Sequence, residues 1–77
     1  MTDRKTNVVV HIDETLDDQR IREIEQLIGA QPGVVSACVN ENARHLLLVD
    51  YDSADIQSSE ILARVRDSGV HAELVGF

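Results

Sequence analysis

The sequence predicts an α+β domain of order βαββαβ, a four-stranded antiparallel sheet with two helices on one face. Four short segments carry β-branched and aliphatic residues with strand-like alternation or in continuous runs. Two others carry apolar residues at helical spacing, and Gly, Pro and acidic residues punctuate them all. With 77 residues the chain is read as a single domain, 1–77, with no linker and no long internal repeat.

Residues 1–6 are polar and expected to be frayed. Val8, Val10 and Ile12 alternate with Val9 and His11, which predicts the first strand; Asp13 and Glu14 end it. Thr15-Leu16-Asp17-Asp18 fits a Thr-x-x-acid capping pattern, so the first helix is expected to start there. Its apolar stripe would be Ile21, Ile24, Leu27 and Ile28, and Gly29 with Gln31-Pro32-Gly33 would stop it. Val34 to Val39 reads as a second strand, joined by Glu41-Asn42-Ala43-Arg44 to a third over Leu46 to Tyr51. The third is apolar on both sides, which suits the interior of a sheet. Asp52 to Gln57 is a loop, and Ser58 is the expected N-cap of a second helix that buries Ile61, Leu62 and Val65. Glu60 and Arg64 form an i,i+4 pair on it, and Gly69 suits the position just past its end. Val70, Ala72 and Leu74 alternate with His71, Glu73 and Val75 in a fourth strand. Right-handed crossovers then put strands one and three at the centre and strands two and four at the edges.

Composition narrows the function. Seven basic residues against fourteen acidic give a net charge of −7, which disfavours nucleic acid and anionic membrane surfaces. The single Cys38 excludes an internal disulfide and a multi-cysteine metal cage. No apolar run reaches the ~20 residues of a membrane span, and the three consecutive valines near the start are too few for a signal-peptide core, so a cytoplasmic location is expected. A Gly-rich phosphate loop, a nucleophile elbow and an acid–base pair are all missing from the sequence, so no enzyme and no cofactor are expected. One Tyr and one Phe leave no aromatic platform on which bases could stack.

In order along the chain, Ile24-Glu25, Leu27, Pro32-Gly33-Val34, Val39-Asn40, Val49-x-Tyr51-Asp52, Ser58-x-Glu60-Ile61 and Gly69-Val70-x-Ala72-x-Leu74 stand at characteristic separations. With them the chain resembles the heavy-metal-associated domain, the ferredoxin-like module of copper chaperones and metal-transporting ATPases, from about Val8 to Leu74. The resemblance stops at the site. Members carry Met-x-Cys-x-x-Cys between the first strand and the first helix. Counting back from Pro32-Gly33-Val34, the cysteines fall on Asp17 and Arg20, the methionine on Thr15, and an aromatic residue often found near the metal loop on Val70. Cu(I) is soft and prefers thiolates; Asp17 offers a hard oxygen and Arg20 a fixed cation. The resemblance therefore implies the fold without the metal transfer.

Three groups of residues remain as candidate sites. Val9, His11, Leu46, Leu48 and Val75 share the side of the sheet that two helices cannot cover, and such an apolar strip marks a contact surface for another protein or a second copy of this chain. Cys38 belongs to the same side and reads as a small hydrophobe. His11, His71 and Glu73 share a parity, and two imidazoles with a carboxylate are a ligand set for Zn²⁺; this is the alternative in which a metal ion is the partner. The acidic run Asp13, Glu14, Asp17 and Asp18 reads either as a hard-cation or basic-partner surface or as carboxylates that complement a helix N-terminus. His45 is a strand-end residue. The favoured function is a protein-interaction module, with a homodimer through the open sheet face as one form. A divergent metal protein, or a small-ligand regulatory module by fold analogy, stands behind it.

Overall fold

The computed structural model describes residues 5–75. The elements are β1 (Lys5–Ile12), α1 (Asp18–Gly29), β2 (Val34–Asn40), β3 (Ala43–Asp52), α2 (Ser58–Asp67) and β4 (Ala72–Val75). The sheet order is β2-β3-β1-β4, and every neighbouring pair is antiparallel. The βαββαβ order and the central placement of β1 and β3 are those read from the sequence.

Alternation decides what is inside. Val8, Val10 and Ile12 of β1 and Leu47, Val49 and Tyr51 of β3 face the helices and are buried. Ile24 and Ile28 of α1 and Ile61 and Val65 of α2 meet them, and all four are fully buried. Ile56, Val70 and Ala72 close the core at its ends. No helix among the described residues is long and apolar enough to cross a membrane.

Several element boundaries differ from expectation. Lys5 and Thr6, expected to be frayed, belong to β1, because they pair with Asp52 and Tyr51 at the far end of β3; residues 1–4 lie outside the described residues. The β2–β3 connection shrinks to Glu41-Asn42, with the Asn40 side chain accepting from the Asn42 N–H at 2.8 Å. Leu27 is 41% exposed. At 100° per residue it stands about 90° from the centre of the arc defined by Ile21, Ile24 and Ile28. Gly29 is the last helical residue of α1 and Ala30 its C-cap. In α2 the cap is Gln57, whose carbonyl accepts from the Glu60 and Ile61 N–H groups, and Ser58 is already helical. Arg64 pairs with Asp67 at 2.9 Å instead of Glu60.

Gly33 supplies a turn that no other residue fits. Its φ is +91°, and a Cβ there would stand 2.8 Å from Asp55 Cβ and 3.0 Å from Ile56 Cγ2. Its carbonyl accepts from the Asp52 N–H at 2.8 Å, tying the start of β2 to the end of β3. Gly33→Ala is therefore expected to destabilise the domain by about 1–3 kcal/mol through both backbone conformation and crowding. Urea unfolding midpoints of the two proteins measure this.

Candidate functional site

The segment between β1 and α1 folds by satisfying its own polar groups. Asp17 is the N-cap of α1, in an extended conformation, and its side chain accepts from the Arg20 N–H at 2.8 Å. The expected Thr15 cap is thus two residues early: Thr15 is exposed and precedes the helix. Asp18 pairs with Arg44 of β3. The Arg20 guanidinium donates to the Ser68 carbonyl, the C-cap of α2, and lies 3.6 Å from Glu23. A cation at a helix C-terminus meets the negative end of its dipole, so Arg20 fastens the start of α1 to the end of α2. Thr15, Asp17 and Arg20 hold no sulfur, and two of them are committed to helix ends.

Glu14 is engaged with the other strand connection. Its carboxylate accepts from the His71 backbone N–H at 2.9 and 3.1 Å and lies 2.7 Å from His71 Nδ1. The hydrogen bond from the His71 side chain, then that from its backbone, holds the Glu14 carboxyl below its ordinary pKa. The same contact explains why β4 starts at Ala72 and not Val70: the His71 N–H is spent on a side chain. The His71 carbonyl accepts from the Asp13 N–H at 2.8 Å.

The open sheet face collects the other candidates. Cys38 of β2 pairs with Leu48 of β3, Leu48 with Val9 of β1, and Val9 with Val75 of β4. These residues make one row across all four strands. Leu48 is 40% and Val75 42% exposed, and Cys38 is exposed. The row on one side is polar, with Asp50 opposite Asn7 and Ser36, and Ser36 Oγ bonded to Asp50 at 3.0 Å. The row on the other side is Leu46, His11 and Glu73, in which His11 pairs with both neighbours.

His71 is not part of the His11 group. The sequence places it with His11 and Glu73 by parity, but its Nδ1 is bonded to Glu14. Asp13 takes its place: one ligand atom from each of His11, Asp13 and Glu73 lies within 4.8 Å of the others. Asp13 keeps the parity of His11, two residues on, but the sequence reading assigned it to the acidic run before α1. That reading also missed His45, whose ring stacks on that of His11 at 5.9 Å and whose Nδ1 lies 2.8 Å from the Ile12 carbonyl oxygen.

No family model and no curated protein matches the chain. Solved structures do. The copper chaperone of Enterococcus hirae in its apo form superposes with a TM-score of 0.79 at 22% identity, over 88% of this chain and 98% of that one. The copper transporter domain of yeast gives 0.79 at 17% identity, over 91% and 94%. This chain has the fold of the heavy-metal-associated domain. A copper binding domain of a P-type ATPase likewise matches, at a TM-score of 0.82 and 18% identity over 91% of this chain and 93% of that one. At these identities the likeness extends to the fold. The one cysteine, Cys38, lies on β2 at the open sheet face, away from the β1–α1 loop, so no Cys-x-x-Cys pair is present.

Two outcomes follow from these contacts. Asp17→Cys/Arg20→Cys is expected to gain one Cu(I) per chain against a Cu(I)-specific chelator, since two thiolates then face one ion. Metal-free, it is expected to lose about 0.5–2 kcal/mol through the missing cap alone. A folded double variant that takes up no copper contradicts this. Glu14, with its pKa lowered by folding, stabilises the domain at pH values above its unfolded pKa, and that contribution is lost as pH falls through the folded pKa. The stability gap between wild type and Glu14→Gln is therefore expected to be widest at neutral pH and to close in acid, as urea midpoints across a pH series measure.

Proposed function

We propose that this domain works by protein contact through its open sheet face and not by thiolate metal transfer. The observation that carries the reading is the row Cys38–Leu48–Val9–Val75, an apolar strip that spans the sheet from edge to edge between more polar neighbours. Two helices cover one side of the sheet, so the strip has no cover within the described residues. The lack of a Cys-x-x-Cys pair and the use of Asp17 and Arg20 at helix ends support the second half of the proposal.

The occupant we assign is a second copy of the chain. A strip that crosses the whole sheet can face its own image across a two-fold axis, and sheets stack face to face at about 10 Å. The net charge of −7 opposes such a pair, so added salt is expected to tighten it by screening. The proposed role is non-catalytic and takes no cofactor.

Sedimentation equilibrium over a concentration series at low and high salt tests the proposal. Wild type is expected to shift from monomer to dimer, more readily at high salt. Leu48→Asp is expected to stay monomeric with unchanged circular dichroism, because its side chain reaches the surface. Leu47→Asp places an unpaired carboxylate in the core and is expected to unfold the domain. Wild type that stays monomeric at every concentration and salt, or Leu48→Asp that unfolds as Leu47→Asp does, contradicts it.

A further inference from the structure

We propose that His11, Asp13 and Glu73 form a binding site for one divalent transition-metal ion of the zinc class, where β1, β4 and the segment after β1 meet. His11 and Glu73 are direct cross-strand partners, so their side chains leave the sheet on the same side. Asp13 follows β1 by one residue and is fixed there, because its N–H donates to the His71 carbonyl at 2.8 Å. One ligand atom from each of the three lies within 4.8 Å of the others.

The hydrogen bond between His11 and Asp13 already has the spacing of two ligands on a small ion, and Glu73 lies within 4.8 Å of both. Zinc takes nitrogen and carboxylate oxygen at roughly 2.0–2.2 Å, so two such ligands at a tetrahedral angle stand about 3.3–3.6 Å apart. His11 Nδ1 and Asp13 Oδ1 are 3.2 Å apart. The His11 ring is backed by the stacked ring of His45, itself anchored to the Ile12 carbonyl, which limits its rotation. Three protein ligands leave a fourth position open for water. The imidazole nitrogen selects a transition metal over Ca²⁺ or Mg²⁺, which prefer all-oxygen shells.

The neighbouring acids are engaged elsewhere, and this separates the site from a diffuse acidic surface. Glu14 is held by His71, Asp17 caps α1, and Asp18 pairs with Arg44. Asp13 and Glu73 carry the two charges that face His11. The chemistry differs from thiolate Cu(I) binding, and the site does not depend on the dimer proposed above.

Calorimetric titration of the wild-type chain with ZnCl₂, and separately with CaCl₂, tests the assignment together with thermal unfolding. One Zn²⁺ per chain and a zinc-dependent rise in Tm are expected, with no comparable response to Ca²⁺. His11→Ala and Glu73→Gln both alter surface positions of the sheet and are each expected to weaken zinc binding by more than about tenfold. His71→Ala is expected to leave it within about twofold. Leu48→Asp is expected to keep it as a monomer, so a failed dimer and a failed metal site give different results. Equal zinc binding by wild type and His11→Ala, equal responses to Zn²⁺ and Ca²⁺, or no zinc-dependent rise in wild-type Tm overturns the assignment.

Discussion

Val10 on β1 and Leu47 on β3 are direct cross-strand partners, both fully buried, and the alternation that runs outward from this pair decides the sides of β1, β3 and β4, while register shifts at Val34/Ser36 and Val39/Asn40 interrupt it on β2. A slip of one residue in their register would exchange the two faces of the strand, bringing Val9 and His11 inward and exposing Val10 and Ile12. The helices hold the register because their fully buried residues, Ile24, Ile28, Ile61 and Val65, need an unbroken apolar surface beneath them. One consequence is one-sided cover. With both helices on the same face, the opposite row, Cys38, Leu48, Val9 and Val75, is left at the surface by the same pairing that builds the core.

The connection between β1 and α1 is the second organising feature. In a fold shared with copper-binding domains, this stretch carries charge where a soft metal would need sulfur. Its acids are distributed among separate structural tasks. Asp17 caps a helix, Asp18 reaches across to β3, and Glu14 holds the backbone ahead of β4. Arg20 takes the carbonyl at the end of α2, so the two helix ends that converge here are joined by one side chain. The Asp18, Glu14 and Arg20 contacts join segments distant in the chain, and the Asp17 bond closes the end of its own helix. Asp13, bonded to His11 at 3.2 Å, and Glu73 of β4 lie beside each other at the edge of the open face.

Much of the fold was legible in the sequence because it depends on period. The alternation of Val8, Val10 and Ile12 and of Leu47, Val49 and Tyr51 predicts the inner face residue by residue. The i, i+3, i+7 spacing of Ile21, Ile24 and Ile28 predicts the buried arc of α1. Features that depend on a single rotation or a single hydrogen bond were not legible. Leu27 fits a helical stripe by count, yet lies beyond the arc that the sheet can reach. Thr15 and Ser58 are good capping types, but the backbone enters each helix at a neighbouring residue, Asp17 or Gln57. The candidate site divides the same way. The open-face residues follow from strand parity. The engagement of His71 by Glu14 does not, since it is a long-range contact that no local pattern announces.

The apolar row on the open face is the proposed working surface of this domain. A dilution series followed by amide ¹H–¹⁵N chemical shifts reads out that surface residue by residue. Concentration-dependent shifts are expected at Val9, Cys38, Leu48 and Val75, with the helix faces and the β1–α1 connection unchanged. Shifts centred on α1, α2 or the β1–α1 connection, or spectra that do not change with concentration, would contradict the proposal.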